Sequence, residues 1–211
     1  MIYSPNMLKT YQLCPRKFYF QYVERVNIPR LSTPFEKGKK IHALANYYLQ
    51  GIDISRLETA LNPSEAAVWK SLSENPYFQK KCYKSEFQLS CKLGDFWIGG
   101  RLDAVMSDEN KYYILDYKTG AVPENPKFDY QTMVYLLALD MHLKQGKELE
   151  FIYIDLKQNK DHIITFDQTD KAEYTKRILT ICSAITSDSI YKPDCQNCSR
   201  CEYNKLCQKG L

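Results

Sequence analysis

Residues 99–120 read GGRLDAVMSDENKYYILDYKTG, two apolar stretches that each deliver an aspartate and that are separated by a polar turn. FWIGGRLDAVM (96–106) and KYYILDYKTG (111–120) are rich in branched and aromatic residues, and SDENK between them is turn chemistry, so the segment reads as an antiparallel hairpin. With the turn centred on Asp108, Glu109 and Asn110, the register sets Asp103 opposite Leu115 or Asp116. Alternation puts Asp116 and Lys118 on one face and Leu115 and Tyr117 on the other. For an isolated Asp-x-Lys tripeptide the ordinary explanation is a surface ion pair, here with Lys118 or Arg101. Ile114 and Leu115 mark this strand as buried, and a buried carboxylate is costly without a partner. Two carboxylates at one point repel unless a cation sits between them. Oxygen ligands favour Mg²⁺ or Mn²⁺, and Lys118 on the same face is placed to polarise a water or offset charge developing on a phosphorane. This set suits phosphodiester hydrolysis.

Working outward, YKSEFQLSCK (83–92) precedes the hairpin and the turn Leu93, Gly94, Asp95 joins it on, giving an antiparallel meander. A helix is expected in FDYQTMVYLLALDMHLKQ (128–145), strands in LEFIYIDLK (149–157) and HIITFD (162–167) about a turn at Asn159, and a long helix from Asp170 to Ile185. Upstream, Ser4 before Pro5 predicts a capped helix carrying Met7, Leu8, Tyr11 and Cys14, and Pro15 begins a second helix with Phe18, Tyr19 and Tyr22 inward. Cys14 then sits at a corner between them. After a loop with Pro29 and Pro34, FEKGKKIHALANYYL (35–49) sets Ile41, Leu44, Ala45, Tyr48 and Leu49 on one stripe with His42 at its edge. Residues 51–80 read as further helices broken at Asn62, Pro63 and Ser64 and closed by Pro76. The expected organisation is one domain over 1–211, with a helical N-terminal region at 1–80, a core at 81–190 and a cysteine tail at 191–211, on an α/β (α+β) plan.

At 211 residues, 44% hydrophobic and 26% charged, the chain falls outside the disordered and collagen-like ranges. It has no apolar run of membrane-spanning length and no apolar signal core, so a cytoplasmic protein is expected. The net charge of +4 says little, but its distribution says more. Lys9, Arg16, Lys17, Arg25, Arg30, Lys37, Lys39 and Lys40 stand against only Glu24 and Glu36 in residues 1–50, a basic quarter compatible with a nucleic acid.

Of the 8 cysteines, Cys195, Cys198, Cys201 and Cys207 fall in PDCQNCSRCEYNKLC at the C-terminal end. Such clustering signals a metal ion or an iron-sulfur cluster. Cys195 and Cys198 have the Cys-x2-Cys spacing of a zinc site, and spacing alone does not separate the two readings. Cys82, Cys91 and Cys182 read as buried small hydrophobes.

SPNMLKTYQLCPRKFYF, GKKIHALA, GGRLDAVM, ILDYKTG and QTMVY, in that order from Ser4 to Cys207, together resemble the RecB-like branch of the PD-(D/E)XK nucleases. More narrowly, they resemble its iron-sulfur members, the AddB-type nuclease domains and the CRISPR-associated RecB-like exonucleases. The resemblance implies a restriction-endonuclease-like core with a mixed central sheet flanked by helices and termini joined by a metal cluster. It implies His42, Asp103, Asp116 and the Tyr117 main-chain carbonyl as metal ligands. Lys118 is the implied catalytic lysine, and Gln131 and Tyr135 are the branch's Gln-x-x-x-Tyr pair, bracing the site or touching DNA. Glu86 points toward the same place without a motif to assign it.

The resemblance also implies that Cys14, Cys198, Cys201 and Cys207 bind [4Fe-4S], with a structural zinc on the tail cysteines as the alternative. It implies a metal-dependent deoxyribonuclease, an exonuclease in character, acting on DNA with single-stranded ends in repair, recombination or CRISPR spacer processing. Two other classes remain open, an inactive nucleic-acid-binding module and a zinc-stabilised adaptor for a helicase or integrase. The sequence begins near the first motif and ends four residues after Cys207, so any motor is expected to come from a partner.

Overall fold

A computed structural model describes residues 1–28, 35–143 and 147–208, apart from the side chains of 35–37, 195, 197 and 208. Pro29 and Pro34, Arg30, and the side chains of Lys37 and Cys195 therefore lie outside the described residues. In chain order come β1 (Ile2–Tyr3), α1 (Pro5–Leu13), α2 (Pro15–Phe18), a π-type turn (Tyr19–Val23), α3 (Phe35–Leu49), α4 (Ser55–Thr59) and α5 (Pro63–Ser73). Next are β2 (Lys81–Leu93), β3 (Phe96–Ser107), β4 (Lys111–Lys118), a 3₁₀ turn (Pro126–Phe128), α6 (Tyr130–Leu143), β5 (Glu148–Asp155) and β6 (Lys160–Phe166). α7 (Gln168–Ser187), a 3₁₀ turn (Cys195–Arg200) and α8 (Asn204–Gln208) complete the chain.

The helix starts follow from their caps. Ser4 accepts the Met7 N–H ahead of Pro5, Asn62 and Glu65 form a capping box around Pro63, and Asp167 accepts the Asp170 N–H. Six strands make one mixed sheet in the order β1-β3-β4-β5-β6, with β2 antiparallel to β3. β3 and β4 form the expected hairpin, whereas β5 runs parallel to β4 and so needs a crossover, which α6 supplies. Covered on most sides, α6 is almost wholly buried from Tyr130 to Leu139.

Helices cover both faces. Leu8, Ile98, Leu102, Val105, Ile114, Val134, Phe151 and Ile178 form the core beneath α1, α6 and α7. Ile41, Leu44, Trp69, Leu72, Ala104, Met106, Leu115 and Ile152 form the core beneath α3 and α5. Leu102 and Val105 lie in the first core while Ala104 and Met106 lie in the second, so the two-residue alternation of β3 breaks at Asp103. Among the described residues, no helix is long and apolar enough to cross a membrane.

The fold corrects several local expectations. β1 was not expected: two residues carry little periodicity, and they pair only through Trp97 and Ile98. The π-type turn adds a residue to its turn and rotates the inward face, so Phe18 and Phe20 are buried while Tyr19 and Tyr22 are half-buried. Tyr48 is exposed, stacking on Phe78 from outside. Cys91 and Cys182 are buried as expected, but Cys82 is only half-buried.

Candidate active site

The last paired rung between β3 and β4 is Ala104 with Leu115, and the strands part beyond it. That register aligns Asp103 with Asp116 rather than with Leu115. On the other side of β3, Ser85 pairs with Ala104 and Phe87 with Leu102, which sets Glu86 across from Asp103. Three acids thus share one row across three strands. Glu86 has φ +46°, a left-handed backbone that costs a non-glycine residue about 1–2 kcal/mol and marks the kink in the sheet.

At the kink Asp103 meets both α3 and the neighbouring strand β4. Its Oδ1 lies 3.2 Å from His42 Nδ1 on α3, and its Oδ2 accepts the Tyr117 N–H at 3.1 Å. His42 Nε2 is 3.0 Å from the Tyr117 carbonyl oxygen. Asp116 is buried; Gln131 Nε2 donates to its Oδ1, and Lys118 Nζ approaches its Oδ2 at 2.7 Å. Asp116 Oδ2 is thus a buried carboxylate oxygen whose partner is the Lys118 ammonium. Lys118 Nζ also donates to Gln131 Oε1 at 3.0 Å. Tyr135 stands one turn along α6 from Gln131 and donates its hydroxyl to the Arg101 carbonyl oxygen at 3.0 Å, bracing β3 from beneath.

Electrostatics mirror this crowding. Burial, and then the Asp103 charge, raise the Asp116 carboxyl to about 6 against the pull of Lys118 and His42. Burial alone would lower His42, but its hydrogen bond and attraction to Asp103, with Asp116 behind, raise it above the ordinary histidine value. These groups favour positive charge at this point. The donor atoms of His42, Glu86 and Asp103 lie within 4.8 Å of one another. An imidazole nitrogen, the carboxylate oxygens of Glu86, Asp103 and Asp116 and a main-chain carbonyl are a donor set that fits a hard divalent cation.

The site opens into a cleft of about 940 Å³ between α3 and the loop after β4, where Lys39, Asn46, Tyr47, Arg101 and Thr119 join the residues above. Lys118 also borders a hollow of about 430 Å³ on its far side, with Asn6, Lys9, Asp129 and Gln131. The structure therefore gathers every site residue expected from the sequence except the cysteines. Arg101, Lys39 and Tyr47 were not singled out for the site. Glu86 could have been placed by counting register back from Asp103.

Cys14, Cys198, Cys201 and Cys207 converge elsewhere, around a hollow of about 280 Å³. Cys14 caps α2, and its Sγ accepts the main-chain N–H groups of Lys17 at 3.4 Å and Asp194 at 3.3 Å. Among the described residues, no three of these sulfurs lie within 4.8 Å of one another. The chain ends also pack directly: Lys17 pairs with Glu202 at 2.9 Å, and the Tyr203 ring stacks on Phe20.

The sequence profile of the PD-(D/E)XK nuclease superfamily matches residues 2–87 and 65–208. The CRISPR-associated exonuclease Cas4 of Francisella tularensis subsp. novicida (strain U112) is 24% identical over 209 residues, covering 96% of this chain and 91% of that protein. A crystal structure of a provisionally named exonuclease from Eubacterium rectale superposes with a TM-score of 0.58 at 11% identity, covering 96% of this chain and 88% of that one. This last likeness speaks to the fold. With the two acids, the lysine and the mixed sheet in place, the chain belongs to the PD-(D/E)XK nuclease superfamily, as a nuclease of its RecB-like type.

Proposed function

We propose that this nuclease is a divalent-metal-dependent deoxyribonuclease that trims DNA with single-stranded ends, an exonuclease serving repair, recombination or CRISPR adaptation beside a helicase or integrase partner. The observation that carries this reading is the meeting of His42, Asp103, Asp116, the Tyr117 carbonyl oxygen and Lys118 at one kink of the sheet. His42, Asp103, Asp116 and the Tyr117 carbonyl would hold Mg²⁺ or Mn²⁺, which when bound supplies the charge that activates water near neutral pH and neutralises the phosphate. Lys118 orients the attacking water with its ammonium donors and offsets charge on the phosphate, while Gln131 holds Lys118 and Asp116 in fixed relation. Asp103 ties the strand carrying Asp116 and Lys118 to His42 by accepting the Tyr117 N–H. Tyr47, 41% exposed along the cleft, offers a face on which an unpaired base can stack, which favours a single-stranded substrate.

We read the cysteine hollow lined by Cys14, Cys198, Cys201 and Cys207 as a [4Fe-4S] site, with a structural zinc on the tail cysteines as the alternative. Main-chain N–H groups aimed at Cys14 suit a thiolate that ligates a cluster.

The test is incubation with end-labelled single-stranded DNA, duplex DNA and RNA of one sequence, with Mn²⁺, Mg²⁺ or EDTA, comparing wild type with Lys118→Ala. Metal-dependent shortening of DNA, lost by about 10²-fold or more in Lys118→Ala, is expected. DNA binding without cleavage under all these conditions would leave the protein a nucleic-acid-binding module.

A further inference from the structure

Arg101 lies two residues before Asp103, and its role is open in the mechanism above. Its Nε stands 2.8 Å from Glu86 Oε2, its side chain is 68% exposed in the cleft, and Glu86 is 26% exposed. Glu86 belongs to the His42 and Asp103 constellation and keeps a left-handed backbone to stay on that row. A carboxylate committed to a guanidinium is a poor ligand for a cation, because the guanidinium occupies its lone pairs and repels the incoming charge. The guanidinium in turn matches a phosphodiester as well as it matches a carboxylate.

We propose that Arg101 is a substrate-released latch on Glu86. In the free protein the pair keeps Glu86 from ligating metal. A DNA phosphate entering the cleft takes over Arg101 and frees the Glu86 carboxylate, which already stands beside His42 and Asp103, to complete the metal site. Metal and DNA then bind cooperatively, each tightening the other by the same factor. The latch rests on the metal-nuclease reading above and adds to it an order of assembly: a competent site forms only where a phosphate is present.

The experiment is isothermal titration of Mn²⁺ into wild type, Arg101→Gln, Glu86→Gln and the double variant, without DNA, with melting curves to show that each is folded. Arg101 is mostly solvent-exposed, so its replacement leaves the cores intact. Arg101→Gln is expected to bind Mn²⁺ about 10-fold tighter than wild type, and the double variant no tighter than Glu86→Gln. A second titration on wild type with a phosphorothioate single strand present should reproduce the gain, and Arg101→Gln should show little further change. An equal gain in the Glu86→Gln background would mean that Arg101 only repels the ion, and would overturn the latch. So would Arg101→Gln binding Mn²⁺ as wild type does. Failure of the metal-nuclease reading itself looks different: wild type would neither bind Mn²⁺ saturably nor cleave.

Discussion

Gln131 holds Asp116 and Lys118 with a single amide: its Nε2 donates to Asp116 Oδ1, and its Oε1 accepts from Lys118 Nζ at 3.0 Å. The amide donates to the acid and accepts from the lysine at once, which an ionised carboxylate of the same length cannot do. Gln131→Glu replaces the donor with a second carboxylate facing Asp116 and draws Lys118 away from it. Gln131→Ala merely removes the bridge. Nuclease activity is therefore expected to fall about 10-fold in Gln131→Ala and about 10²-fold in Gln131→Glu. The acidic limb of the Gln131→Glu pH–rate profile should also move upward, since another negative charge raises Asp116 further. Equal losses with unmoved profiles would make Gln131 a packing residue.

Asp116 sets a pH dependence on the metal-free protein. Its carboxyl is raised from 3.8 to about 6, chiefly by burial, so the native state holds this proton more tightly than the unfolded chain does. The resulting stability is present below the unfolded value and is lost as pH rises from about 4 through 6, on the order of 1–3 kcal/mol. His42, also raised, adds a loss in the same direction at higher pH, beginning near 6.5. In EDTA, Asp116→Asn should flatten the lower window and raise the melting temperature at neutral pH. Mn²⁺ should then stabilise wild type but not this variant. A melting-temperature series across pH checks both, and a wild-type slope retained in Asp116→Asn would contradict the assignment.

How much of this could be read beforehand depends on how each feature is encoded. The hairpin of β3 and β4 and the helix that follows it rest on local periodicity, and the meeting of Asp103 with Asp116 and Lys118 rests on strand register, so they were legible from the residues; His42, Gln131 and Tyr135 were reached only through the family resemblance. β1 rests on two residues pairing across the chain, and the inward turn of Phe20 on a π-type turn, and neither leaves a periodic trace. The Arg101–Glu86 pair was hidden because it joins two strands at a kink, where alternation no longer tells which way a side chain points.

Gly100 is where the sheet tolerates Tyr135. A Cβ at Gly100 would stand 2.9 Å from the Tyr135 hydroxyl oxygen and 3.0 Å from its ring. Tyr135 cannot retreat, because it is buried and its hydroxyl is bound to the Arg101 carbonyl oxygen. Gly100→Ala is expected to cost about 1–3 kcal/mol by overpacking, whereas Tyr135→Phe, which keeps the ring, costs about 1 kcal/mol. Urea unfolding measures both, and activity should suffer more in Gly100→Ala because the strand leading to Asp103 shifts.

The basic N-terminal quarter is not uniform as a DNA contact. Lys40 pairs with buried Glu65 at 2.9 Å, and Lys9 and Lys17 pair with Asp129 and Glu202, whereas exposed Lys39 lines the cleft. Each phosphate neutralised on a single strand contributes roughly 0.7 to the slope of log affinity against log salt. Lys39→Ala should reduce that slope by about one such contact, and Lys40→Ala should leave it nearly unchanged. Fluorescence anisotropy of a labelled single strand from low to high salt decides between them, and the reverse ranking would move the DNA path toward α5.

Cys14 gives the sharpest test at the other end of the molecule. It lies 181 residues before Cys195 in sequence yet lines one hollow with Cys198, Cys201 and Cys207. A [4Fe-4S] cluster needs four thiolates, so protein purified without oxygen should be brown, and Cys14→Ser should bleach it as fully as Cys198→Ser. Cys195→Ser should keep the colour. Cluster loss should lower the melting temperature, because the cluster closes a loop of nearly the whole chain and such closures remove the most unfolded-state entropy. Residual order at the termini is still expected from the Lys17–Glu202 pair and the Phe20–Tyr203 stack, so bleached protein should unfold earlier rather than be unfolded from the start. The nuclease row is built on α3, β2, β3, β4 and α6, none of which carries these four cysteines, so bleached protein held below its melting temperature should still bind Mn²⁺. Colourless protein with one zinc per chain, indifferent to Cys14→Ser and sensitive to Cys195→Ser, would replace the cluster with a zinc site.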